Sequence, residues 1–141
     1  MKSFKTFIKE NAPPFIPNIV WHFTSSKVEN KIREGGFKTG EELGVGEQSG
    51  AVFATQFDTG YNYNRHGGRT VKIGIDIDKM KILDTDDMTS EQKYNLRLDI
   101  ERYGVIPDGY DAVVFYESGK KHRIWEIAIK PDIATKYIVK K

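Results

Sequence analysis

No cysteine occurs anywhere in the chain, which excludes disulfides, thiolate catalysis and cysteine-based zinc sites, and suits a reducing compartment. Charge of one sign is also lacking: 22 lysines and arginines against 20 aspartates and glutamates leave +2, too little for bulk electrostatics to argue for a nucleic-acid partner. The three histidines, His22, His66 and His122, do not have the i,i+4 spacing of a helical zinc pair, so no metal is expected. No apolar run approaches the ~20 residues that a membrane-spanning helix needs, and Met1 to Glu10 is too polar for a signal-peptide core. The expectation is a cytoplasmic protein with no membrane partner. Gly44, Val45 and Gly46 fit neither GxGxxG nor P-loop spacing, which excludes Rossmann and Walker phosphate binding.

What is present suits one domain. A chain of 141 residues with 38% apolar and 30% charged residues is long enough to bury a core unaided and too short for a second domain. Ser3 to Glu10 reads as one or two helical turns, and Pro13, Pro14 and Pro17 then impose an extended approach, so residues 1–18 form a docking arm. Ile19 to Thr24 reads as a strand with Val20, His22 and Thr24 on one face and Ile19, Trp21 and Phe23 on the other. Ser26 and Glu29 have capping-box spacing for a helix with Val28 and Ile32 on its apolar side, stopped by Gly35 and Gly36.

The segment from Phe37 to Gly50 is glycine-rich and poor in apolar residues, which predicts a mobile loop. Ala51 to Thr55 reads as a short strand, and Thr59 to Asn64 as a short helix. Thr70 to Ile77 gives the clearest alternation, with Val71, Ile73, Ile75 and Ile77 on one side. Thr89 and Gln92 open a second helix with Leu96, Ile100 and Tyr103 on one side and Gly104 at its end. Asp111 to Tyr116, Arg123 to Lys130 and Thr135 to Lys140 complete the strands. Strands separated by two main helices favour an α+β fold of antiparallel or mixed sheets over a doubly wound one.

Two polar residues interrupt apolar strands. Glu126 lies in Ile124-Trp125-Glu126-Ile127-Ala128-Ile129, where a carboxylate must be exposed, paired or used. Period 2 puts it with Ile124 and Ala128, either toward solvent on a half-covered sheet or toward a site. His22 repeats the pattern in its own strand. Were the two strands close in one sheet, the pair would share a cleft, as a catalytic pair requires.

Trp21-His22-Phe23-Thr24-Ser25-Ser26, followed by a capped helix ending in Gly-Gly-Phe, resembles the first NAD⁺-binding block of the ADP-ribosyltransferase superfamily, in its polymerase-like branch. Gly50-Ala51-Val52-Phe53-Ala54-Thr55 with Tyr61 and Tyr63 resembles the second block. Gly109-Tyr110-Asp111-Ala112-Val113-Val114, then Glu126 and Lys130-Pro131-Asp132-Ile133, resembles the third. The resemblance covers residues 19–139 and implies split β-sheets. NAD⁺ is the implied substrate, and a protein or nucleic acid the implied acceptor. It implies that His22 bonds the adenosine-side ribose and that Thr24 orients the nicotinamide, with Phe23 and Thr55 lining the pocket. Tyr63, or Tyr61 in its place, stacks on the nicotinamide ring. Glu126 then binds the nicotinamide ribose and stabilises the oxocarbenium ion.

Two positions depart from that branch. Val52 stands where it has a tyrosine, leaving the His-Tyr-Glu triad incomplete, and Phe23 stands where it commonly has glycine. The reading is a mono-ADP-ribosyltransferase, with NAD⁺ glycohydrolysis where water is the acceptor, of the kind found among bacterial toxins or phage effectors. The alternative is a non-enzymatic binding or inhibitory protein on the same scaffold. A nucleic-acid module rests only on Lys120 to Arg123 and scattered tyrosines. Glu117 is the second choice for the acidic role, Arg65 and Arg69 are candidates for the pyrophosphate, and Asp84, Asp86 and Asp87 read as a solvated turn.

Overall fold

The computed structural model describes residues 16–37, 50–57, 70–116 and 124–140. It is an α+β fold. Strand β1 (Ile19–Ser25) runs into helix α1 (Ser26–Gly35), and strands β2 (Val52–Ala54), β3 (Thr70–Asp76) and β4 (Ile82–Asp84) follow. Helix α2 (Ser90–Tyr103) precedes β5 (Ala112–Tyr116), β6 (Ile124–Ile129) and helix α3 (Pro131–Lys136).

The strands form a two-stranded sheet, β1-β3, and a four-stranded sheet in the order β2-β6-β5-β4. All pairings are antiparallel except β4 with β5. A parallel pair needs a crossover, and α2 provides it, so α2 lies against one face of the four-stranded sheet. The two sheets meet at one antiparallel bridge, Trp21 with Thr55, closed by backbone hydrogen bonds of 2.8 and 3.0 Å.

Alternation along the strands sorts the apolar residues into two clusters. Val20, Val52, Ala54, Ile75, Ile82, Val114, Ile127 and Ile129 belong to the first, on the side of α3. Leu83, Val113, Phe115 and Ala128 belong to the second, with Ile100 of α2 and with Phe53 and Leu96 packed against it. Ile73, Ile75 and Ile77 are fully buried, as their alternation predicts. Gly74 sits beneath the Trp21 ring, where a Cβ would come within 3.0 Å of it.

Several expectations need correction. Ser25, not Ser26, caps α1 by accepting from the Val28 amide, and Glu29 turns aside to pair with Arg33 at 3.1 Å. Tyr103 is exposed, so only Leu96 and Ile100 of the proposed stripe face the sheet. The capping box of Thr89 and Gln92 and the left-handed Gly104 are as read.

The last predicted strand is instead a helical turn. Pro131 at its start presets φ, and the Thr135 hydroxyl bonds back to the Pro131 carbonyl at 2.7 Å. Only Ile138 keeps a β-bridge, to Ile75. Strand β4 was not anticipated, since three residues are too few for a readable period. Asp84 is not a solvated turn residue. It is half-buried, and burial pushes its carboxyl up from the usual range. The proposed turns at 3–10 and 59–64, most of the 37–50 loop, Arg65, Arg69, Glu117 and the 120–123 cluster lie outside the described residues.

Among the described residues no helix is long and apolar enough to cross a membrane.

A candidate carboxylate site at the sheet junction

Register fixes what shares a face with Glu126. On one side it stands opposite Phe115 of β5. On the other, the β2-β6 ladder ends at Ala54 opposite Ile127, and one further step brings Thr55 opposite Glu126. Thr55 is bridged to Trp21, and Trp21 pairs with Gly74. One row of residues therefore crosses the molecule: Phe115, Glu126, Thr55, Trp21, Gly74. The β5-β6 register skips a residue of β6 next to Glu126, a bulge of the kind that re-aims side chains. The side chains of Ile124 and Trp125 lie outside the described ones.

Glu126 is not turned to solvent. Arg97, from the middle of α2, reaches down to it, with Nη1 paired to Oε1. The same guanidinium bonds through Nε to Glu101 Oε1 at 2.8 Å, one turn further along α2. Its carbon lies 5.6 Å from the centroids of both Phe53 and Phe115, a cation held between two aromatic rings. The Arg97 and Glu126 side chains are 20% and 24% exposed, against 46% for Glu101, so Glu126 is the desolvated partner of the two carboxylates.

Three influences act on the Glu126 carboxyl. Burial pushes it up, Arg97 pulls it down by charge and hydrogen bonding, and Glu101 pushes it up a little; the balance lies above the usual range. Oε2 makes no hydrogen bond or ion pair among the described residues. On the same face by strand alternation, the Thr55 hydroxyl is buried and has no partner among them either. A buried hydroxyl without a partner is uncommon, because the lost hydration is not replaced.

His22 is elsewhere. It follows Trp21, so it points to the opposite side, and its ring packs edge-on to Phe37 at 5.1 Å between centroids. Phe37 belongs to the first cluster. A continued β1-β2 ladder would bring Phe23 opposite Phe53. Instead the strands part, and His22 Nδ1 lies 2.8 Å from the Phe53 carbonyl oxygen. A carbonyl only accepts, so Nδ1 carries the proton. Burial lowers the pKa of His22, with the Phe53 bond partly opposing it, so the ring is neutral at pH 7 and Nε2 is an acceptor.

The expected cleft shared by His22 and Glu126 is therefore not formed: strand alternation sends them to opposite sides of β2. Thr24 is on the His22 side and buried, at 3% exposure. Phe23 is half-buried opposite Lys72, on the Trp21 side. Of the proposed ligand residues, Thr55 is the one in β2's continuation whose alternation puts it on the face of Glu126. Tyr61 and Tyr63 lie outside the described residues. Val52 is buried in the first cluster.

Arg97 was missed by sequence reading. Its one legible signal was Glu101 at i+4, which looks like any surface helix pair; the link to Glu126 depends on α2 crossing β6. Among the described residues no group of His, Asp or Glu is suited to hold a metal ion. No protein-family model matches the sequence, and no curated protein or solved structure matches it significantly.

Proposed function

We propose that the protein is an NAD⁺-dependent mono-ADP-ribosyltransferase in which Glu126 is the reacting-centre carboxylate. The observation that carries this reading is a half-buried Glu126 that Arg97 engages through one oxygen, on the same face as the Thr55 hydroxyl, which has no partner among the described residues, near the bridge that joins the two sheets. Split sheets also agree with the resemblance of residues 19–139. In the reaction the bond between nicotinamide and ribose breaks, and its electron pair leaves with the pyridine nitrogen, discharging the pyridinium. Positive charge develops on the ribose carbon. Glu126 Oε2 accepts from a ribose hydroxyl, and its negative charge lowers the energy of that cation. An acceptor oxygen or nitrogen, or water, then bonds to the carbon and loses its proton. His22 lies on the other side of β2, where Nδ1 ties β1 to β2, and it takes no part in this step.

One observation favours a second reading, a binding protein on the same scaffold. Glu126 is already engaged by Arg97, and the apolar packing of Val52 leaves no third polar residue in the triad. Incubating the protein with NAD⁺ and following nicotinamide release together with thermal shift separates the two. Release that is lost in Glu126→Gln supports the transferase, and stabilisation without release supports the binding protein. Absence of both signals removes NAD⁺ from the account.

A further inference from the structure

Arg97 is a single cation between two carboxylates of unequal burial, and nothing about packing alone requires that arrangement. The second cluster is otherwise apolar, and an aliphatic residue at position 97 would fill the space between Phe53 and Phe115 without the cost of desolvating a guanidinium. The pairing with Glu126 is also one-sided. Nη1 takes Oε1 alone, whereas guanidinium and carboxylate readily form a two-point fork. Nε is committed to Glu101 at 2.8 Å, and this turns the fork away from Oε2.

We infer that Arg97 is a positioning residue for Glu126: it fixes the carboxylate through Oε1 and leaves Oε2 as the oxygen that meets substrate. Glu101 sets the angle of the guanidinium and so belongs to the device. This inference deepens the transferase reading for its link to substrate, while the hold on Glu126 stands on the geometry alone. Every charged group facing Glu126 among the described residues comes from α2, namely Arg97 and Glu101. The neighbouring strands present Phe115 and Phe53. Removing Arg97 therefore leaves burial and Glu101 acting in the same direction, both favouring the protonated acid.

The test uses the full chain with its glutamate side-chain carboxyls labelled with carbon-13. The Glu126 signal is assigned by its loss in Glu126→Gln, and its titration is followed by NMR in the wild type, Arg97→Lys and Arg97→Met. The Glu126 midpoint should rise by at least one pH unit in Arg97→Met and by less in Arg97→Lys. In Glu101→Gln the midpoint should fall slightly, because a neighbouring negative charge is gone. An unchanged midpoint in a folded Arg97→Met protein overturns the inference, whether or not the protein turns over NAD⁺. Nicotinamide release measured on the same samples keeps the two claims apart. With turnover present, the acid limb of the Arg97→Met rate profile should move to higher pH with the NMR midpoint, and a limb that stays in place also overturns the inference. Turnover absent in the wild type together with a shifted midpoint removes the transferase reading and leaves Arg97 as the group that holds Glu126.

Discussion

Ile127 and Glu126 are adjacent in β6, yet they face different worlds. On the Ile127 side the four-stranded sheet presents Val52, Ala54, Ile82, Val114 and Ile129, all buried and apolar. On the Glu126 side, Val113 and Ala128 continue that pattern at one end, and the other end holds Glu126 and Glu101 paired to Arg97, whose guanidinium lies over two aromatic rings. The first side is built as a core is built, by shape and area. The second gives up apolar burial for a desolvated carboxylate that burial itself disfavours. A structure tolerates such a group where the rest of the fold supplies the stability, and this is common where carboxylates do chemistry.

Substitutions on the two sides should differ accordingly. Ile127→Ala removes a fully buried side chain from the apolar side, and its loss should be largest, about 3 kcal/mol by urea unfolding, equal at every pH from 5 to 8. Arg97→Met should cost less at pH 7, about 2 kcal/mol, since the pair it breaks is not fully buried. Its cost should depend on pH. With the cation gone, the folded-state pKa of Glu126 rises further above its unfolded value. Glu126 then favours the folded state below its unfolded pKa, and that contribution is lost as pH rises through the folded one. The deficit of Arg97→Met should therefore shrink on acidification. An equal deficit at pH 5 and 8 would remove the distinction between the two sides.

The smallest effect belongs to His22. Its pKa is lowered in the folded state, so the unfolded chain binds the proton more readily. The stability tied to its neutral form is present above about 6.5, the unfolded value, and is lost as pH falls from there through the lower folded-state pKa. His22→Asn keeps a donor for the Phe53 carbonyl and removes the titration. It should flatten the stability profile between pH 6.5 and 5 by at most about 1.4 kcal/mol per pH unit. An unchanged slope would mean that another group carries it.

Local rules made much of this fold legible. The alternation of Thr70 to Ile77 identifies β3, the Thr89-Gln92 box and Gly104 bound α2, and the oddity of Glu126 is visible in the run Ile124 to Ile129. What was not legible depends on distance in sequence. Whether His22 and Glu126 share a face depends on the Trp21-Thr55 bridge, a register set by tertiary contact. Arg97 reaches Glu126 only because β4 and β5 are parallel and α2 must cross between them. The misread end of the chain has a local cause: Pro131 starts a helical turn more strongly than the β-branched residues after it favour a strand.

The central claim is that Glu126 is kept for chemistry and not for stability, and Glu126→Gln tests it when melting temperature and nicotinamide release are read on the same sample at pH 7.5. Because the folded state disfavours the ionised carboxylate, and because the glutamine carbonyl still accepts from Arg97, the account predicts a melting temperature equal to or above that of the wild type with nicotinamide release abolished. A clear fall in melting temperature with release unchanged would contradict it, and would make Glu126 a structural partner of Arg97.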